Sequence, residues 1–223
     1  MHKKIALAAV IGVFVAGCAS QQSGDTPAAS AKPAEAAAKP AAKPKVATQT
    51  SASAAMLSNT CAGCHGTNGA SGGPATPTIA GMSEEYFVAT MQEYKSGDRW
   101  STIMGRIAKG YSDDEIAAMA KHYAAMPYSG MAQTSAGPMA SAGKAIHDKF
   151  CEKCHEDEGR SIEDDAGLLA GQWMPYVHWT LDDYVSGKNT PTEKGMRKAI
   201  KKMLDKHGPS SVEKLVHFYG SRK

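Results

Sequence analysis

The chain lacks any real excess of charge: 25 Lys and Arg stand against 22 Asp and Glu, for a formal net charge of +3. Part of that surplus, Lys3, Lys4, Lys32, Lys39, Lys43 and Lys45, falls in amino-terminal segments that do not read as folded domain. The strongly basic face that nucleic-acid binding needs is therefore absent. Strand-like alternation of apolar and polar residues is also missing, which excludes sheet-built folds and the βαβ setting of a thioredoxin-like CxxC. The amino-terminal apolar run, residues 5–15, is too short to span a bilayer comfortably as a permanent helix. Finally, no cysteine is spare: beyond Cys18, the four others form two CxxC pairs, Cys61 with Cys64 and Cys151 with Cys154.

What is there begins with an export pattern. Met1, His2, Lys3 and Lys4 make a short basic region, the apolar run follows, and Val15-Ala16-Gly17-Cys18 closes it. Residues 1–18 read as a lipoprotein signal with a lipobox, Cys18 becoming the lipidated first residue of the mature chain. Ordinary cleavage nearby, for instance after Ser20, is the alternative. Lipidation places the protein on the periplasmic side of a bacterial membrane, where a free thiol would be a liability and a lipid plus four thioethers would use every sulfur. Residues 19–50 hold Ala, Pro, Lys, Gln and Ser with almost no large apolar side chain, too little to fold, and form a tether. Largely extended, such a segment reaches on the order of 90 Å.

An internal repeat organises the remainder. At a constant offset of 90 positions Cys61, Cys64 and His65 map onto Cys151, Cys154 and His155. The same offset carries Ala80-Gly81 to Ala170-Gly171, Tyr86 to Tyr176, Thr90 to Thr180, Tyr94 to Tyr184 and Ser96-Gly97 to Ser186-Gly187. Farther on the offset grows by six, and Ile116, Met119 and Tyr123 match Val212, Leu215 and Tyr219 at helical spacing. Two homologous domains follow, 51–133 and 134–223, joined through the Gly, Ser, Ala and Pro-rich segment 133–141.

Each domain reads as all-α. A first helix is expected to run into each CxxCH, over 53–64 and 142–154, a second over 84–95 and 175–185, and a third over 112–125 and 210–219. Ser112 with Glu115, and Ser210 with Glu213, have capping-box spacing, and Gly97 and Gly187 suit helix stops. Domains this small bury little apolar surface and need a staple, so the apo form of each should be poorly folded.

The staple is the chemistry of CAGCH and CEKCH. Cysteines three apart on one helical turn present both sulfurs along one edge of a porphyrin, and the following histidine swings beneath the iron. Cys61, Cys64, Cys151 and Cys154 are thus expected to hold two covalent haem c groups, with His65 and His155 as iron ligands. A single zinc site built from both pairs is the competing reading, and the long separation of the pairs and the adjacent histidines argue against it. The second axial ligand decides between carrier and catalyst, because an open position binds small molecules and a thioether closes it. Met104, 39 residues beyond His65, and Met196, 41 beyond His155, each precede a basic segment and are the candidates. Met203 competes with Met196, while Met82, Met91 and Met119 sit at core positions. Pro74 or Pro77 could accept the other ring proton of His65, whereas Asp164 and Gly167 stand at those offsets from His155. Tyr86, Tyr176, Trp100 and Trp173 are core aromatics able to bond haem propionates. The acidic cluster 156–165 and the basic run at Lys194, Arg197, Lys198, Lys201 and Lys202 read as solvated faces, with partner docking as the other possibility.

With these motifs in place, residues 54–220 resemble the dihaem cytochrome subunit of flavocytochrome c sulfide dehydrogenase and, more distantly, cytochrome c4. The stretches that carry the likeness are Met56-Leu57 leading to CAGCHG, GPATP, STIMGRIAKGYS, GKAIHDKFCEKCH and LAGQWMPY. The resemblance implies two tandem class I cytochrome c domains facing each other, with His65–Met104 and His155–Met196 as axial pairs. It implies no catalysis by this chain alone: a separate FAD-bearing flavoprotein oxidises sulfide, and electrons pass singly through the haems to a soluble acceptor such as a small cytochrome c. A freestanding shuttle of the c4 kind, feeding a terminal oxidase, is the alternative. A dihaem peroxidase would need an accessible iron, which two methionine-ligated haems do not offer.

Overall fold

The computed structural model describes residues 52–163 and 166–223, which belong to one compact unit spanning Val46–Lys223. The export segment 1–18 with Cys18, the tether 19–50, and Asp164 and Asp165 lie outside the described residues.

Among the described residues every regular element is helical. The first half contains α1 (Ala54–Asn59), α2 (Ala62–His65), α3 (Glu84–Ser96), α4 (Met104–Ile107) and α5 (Asp113–Ala124). The second contains α6 (Gly137–Phe150), the irregular single turn α7 (Glu156–Gly159), α8 (Met174–Val185), α9 (Lys194–His207) and α10 (Ser210–Gly220).

Local chemistry sets most of these limits. At α5 the capping box is complete: the Glu115 amide donates to Ser112 Oγ at 3.2 Å and the Ser112 amide to the Glu115 carboxylate at 2.8 Å. Ser83 caps α3 in the simpler way, accepting the Tyr86 amide, and Gly97 stops it in the left-handed conformation at φ 94°. The matching box expected at α10 does not form. Pro209 already has helical φ and ψ, so Ser210 falls inside the helix, where its hydroxyl has no cap to make; Ser211 Oγ bonds the Gly208 carbonyl instead. Glu213 turns to His178 and His217.

The helices expected to enter the CxxCH segments stop short of them. In the first half Thr60 and Cys61 donate to the carbonyls three residues back, Leu57 and Ser58, and this tightening ends α1 before the short α2 resumes. In the second half the His147 carbonyl accepts both Cys151 and Glu152, and Cys151–His155 forms turns. At its other end α6 begins at Gly137, with Pro138 in its first turn, so helix claims part of the segment read as linker.

Two cores result. Leu57 of α1, Phe87 and Met91 of α3, and Ile116, Met119, Ala120 and Tyr123 of α5 enclose the first. Ile146 of α6, Val177 of α8, Met203 of α9, and Val212, Leu215, Val216, Phe218 and Tyr219 of α10 enclose the second. The three repeat-related pairs, Ile116/Val212, Met119/Leu215 and Tyr123/Tyr219, are all buried. Crossing of α6 over α10 is close enough to require glycine, because a Cβ on Gly143 would lie 2.0 Å from the Lys214 carbonyl oxygen.

The halves also grip each other. Leu168 of the second inserts into the first core. Tyr128 donates to the Ala170 carbonyl at 2.6 Å, Met131 to Gly171 at 2.8 Å, and the Gln133 side chain bridges Gln172 and Met174.

Candidate metal centres

Each centre starts from a histidine that follows a CxxC. His65, at the end of α2, is buried, and its Nδ1 lies 2.9 Å from the Pro77 carbonyl oxygen. A carbonyl only accepts, so Nδ1 carries the proton and Nε2 keeps its lone pair for a metal. Burial lowers the His65 pKa below the ordinary value, against the opposing pull of the Pro77 carbonyl. The ring is therefore neutral, the form that ligates.

His155 occupies the same position with different surroundings. Burial first, and His147 second, push its pKa down to about 4, opposed by the Gly167 backbone. No hydrogen bond of normal length closes on its buried Nδ1. Gly167 stands 90 positions beyond Pro77, so the repeat supplies a carbonyl at the matching place but does not bring it home.

The four motif cysteines are unpaired thiols, Cys64 and Cys154 exposed, Cys61 and Cys151 half-buried against their respective cores. Burial pushes the Cys151 thiol up to about 11, the opposite of what a redox-active thiolate needs. Paired thiols beside a neutral, metal-competent imidazole fit a covalently attached haem at each motif. Zinc would require the two motifs to converge on one ion, and among the described residues the only cluster of potential metal ligands is His147, Asp148 and Glu152, without a motif cysteine.

The methionines separate. Met104 opens α4 and packs, half-buried, against the first core, as does Cys61, so the structure brings both to one cluster. Met196 lies in the first turn of α9, half-buried, outside the side chains packed on the second core. Met203 is inside that core with 2% of its surface exposed, and Met82, Met91 and Met119 are buried in the first. Along α9 the basic residues Lys194, Arg197, Lys198, Lys201 and Lys202 are all exposed.

Three arrangements went unread in the sequence. Tyr86 and Tyr94 from the first half and Tyr176 and Tyr184 from the second all lie within electrostatic reach of the Arg99 guanidinium, which sits 5.5 Å from the Tyr94 ring centroid and 3.3 Å from the Glu93 carboxylate. The 90-residue offset of these tyrosine pairs was visible; their nearness to one arginine depends on how the halves face. Second, His147 is wholly buried, its Nδ1 2.9 Å from the Tyr219 hydroxyl and its Nε2 against Glu152. Third, Gln172 and Trp173 reach into the first half, Trp173 Nε1 donating to the Ser71 carbonyl at 3.1 Å. Trp100 stays 43% exposed, with Lys188 above its ring.

Known proteins are similar to this chain. The Cytochrome c family profile matches residues 50–124. The cytochrome subunit of sulfide dehydrogenase from Chlorobaculum tepidum is 46% identical over 84 residues, covering 38% of this chain and 76% of that protein. Cytochrome c4 from Pseudomonas aeruginosa is 33% identical over 138 residues, covering 58% of this chain and 68% of that one. In structure, the chain superposes on reduced cytochrome c4 from Pseudomonas stutzeri with a TM-score of 0.64 at 21% identity, covering 77% of this chain and all of the other.

Proposed function

Because the chain belongs to the cytochrome c family, as an electron-transfer protein related to cytochrome c4 and to the cytochrome subunit of sulfide dehydrogenase, we propose that it is the dihaem wire of a sulfide-oxidising flavoprotein. The observation that carries this reading is the 46% identity to a sulfide dehydrogenase cytochrome subunit. When bound, haem c supplies a one-electron Fe(III)/Fe(II) couple.

The chain's own residues do the rest. Cys61 with Cys64, and Cys151 with Cys154, fix one haem each through thioethers. His65 and His155 would ligate the iron through neutral imidazoles, and Met104 and Met196 would supply the thioether ligands. A thioether raises the potential and closes the iron to small molecules. With Met104 and Met196 as ligands, this chain would offer sulfide no open iron at which to react. FAD on a partner subunit would supply the oxidation chemistry, and a soluble acceptor such as a small cytochrome c would receive the electrons. The exposed basic face of α9 is available to steer an acidic partner. An export signal and lipidation at Cys18 would hold the protein on the periplasmic side of a membrane.

The longer match to cytochrome c4 supports a second reading, a freestanding shuttle to a terminal oxidase. Purification from the native host separates the two. The first expects co-purifying flavin and sulfide-dependent reduction of added cytochrome c; a flavin-free preparation that exchanges electrons only with an oxidase supports the second.

A further inference from the structure

Gln172 is almost fully buried, with 1% of its surface exposed, and its side-chain amide brackets one residue of the opposite half while its oxygen also accepts the neighbouring Trp173 amide at 3.2 Å. Its Oε1 accepts the Thr78 amide at 2.9 Å and its Nε2 donates to the Thr78 carbonyl at 2.9 Å. A side chain thereby completes both hydrogen bonds of a backbone residue, as a neighbouring strand would. Thr78 directly follows Pro77, whose carbonyl accepts from His65 Nδ1. The next residue along, Trp173, bonds the Ser71 carbonyl, and its ring lies so close to Gly73 that a Cβ there would meet it at 2.1 Å. Ser71 is tied back into the same loop, its amide donating to Thr78 Oγ1 and its hydroxyl to the Thr76 carbonyl.

The relation is not reciprocal. The residue 90 positions before Gln172 is Met82, a core side chain with no amide to offer, and Thr78 corresponds to Leu168, which packs into the first core. Against Gly167, the counterpart of Pro77, the first half sets Tyr86, whose ring carbon a Cβ there would meet at 2.8 Å, while Tyr128 and Met131 bond the backbone of Ala170 and Gly171 farther along. His155 Nδ1 correspondingly has no hydrogen bond of normal length, the Gly167 backbone acting on it only weakly.

We propose that Gln172, assisted by Trp173, is a positioning residue of the second half that holds the Pro77 carbonyl on His65 and so sets the potential of the first haem, with no equivalent device acting on the second. The inference rests on the reading of His65 as an iron ligand. A histidine that donates firmly through Nδ1 is the more basic ligand and favours the oxidised iron. Loosening the loop should therefore raise the first potential.

The test is spectroelectrochemistry of the full dihaem protein, with the two haems distinguished by proton NMR of their axial ligands, on wild type, Gln172→Leu and Trp173→Phe. Gln172→Leu should raise the first haem's potential by roughly 59 mV, a tenfold change in a one-electron equilibrium. Exchange of the His65 Nδ1 proton should quicken while the second haem stays where it was. Trp173→Phe keeps the ring packing, should act in the same direction with smaller size, and decides the matter alone if Gln172→Leu fails to assemble. A first haem unmoved in whichever variants fold, or both haems moving together, overturns the proposal. Wild-type spectra in which the His65 ring carries no iron-induced shift would instead sink the ligand assignment beneath it.

Discussion

The two halves share a scaffold and differ in what surrounds it. Repeat-related Tyr123 and Tyr219 occupy the same buried place on the last helix of each half, yet Tyr123 donates to the Ser58 carbonyl, 2.7 Å away, whereas Tyr219 meets the imidazole of His147. His147 stands where the first half has Leu57, and Glu152, its other partner, where the first half has Ala62. The motif histidines diverge in the opposite sense: His65 Nδ1 has a hydrogen bond to Pro77, and His155 Nδ1 has none of normal length. The two halves keep the apolar pairs Phe87/Val177, Ile116/Val212 and Met119/Leu215 that a core requires, and differ where Leu57 gives way to His147 and Met82 to Gln172, polar groups that can tune a ligand. Two chemically similar sites can in this way settle at different potentials, which a carrier taking electrons one at a time can use to order them.

The comparison breaks most sharply at the cysteines. Replacing Cys61 and Cys64 by alanine should halve the covalent haem, from two per chain to one, in a pyridine haemochrome assay, and the same change at Cys151 and Cys154 should do so independently. Next come the methionines. Met104→Ala should open one iron to carbon monoxide and lower that potential by more than the ~59 mV of a tenfold shift, with Met196→Ala doing the same at the other. If Met203→Ala rather than Met196→Ala opens the second iron, the halves differ in ligand position as well as in surroundings. The smallest effect concerns the last helices. Ser112→Ala removes a working cap and should cost about 1 kcal/mol in denaturant unfolding, while Ser210→Ala, inside its helix, should change stability by only a few tenths.

That last contrast marks how far the sequence could be read. Ser112 and Ser210 stand in the same S-x-x-E pattern, and only Pro209, by entering the helix early, separates a cap from a bystander. Helical character, the repeat, the matched pairs Ile116/Val212, Met119/Leu215 and Tyr123/Tyr219, and a proline carbonyl beside His65, from Pro74 or Pro77, were legible, because periodicity and offset are local properties of the chain. Helix ends at the CxxCH motifs were not, since they depend on Thr60 and His147 redirecting single hydrogen bonds. Nor was the Gln172–Thr78 pairing: it joins residues 94 positions apart and exists only once the halves face each other.

The central claim is that each half carries one covalently held one-electron centre. A reductive titration of the intact protein, with acid-acetone extraction of a parallel sample, tests it directly. The account expects two electrons per chain, taken up by haem that stays with the polypeptide; extractable haem, a single electron, or bound zinc in place of haem would contradict it.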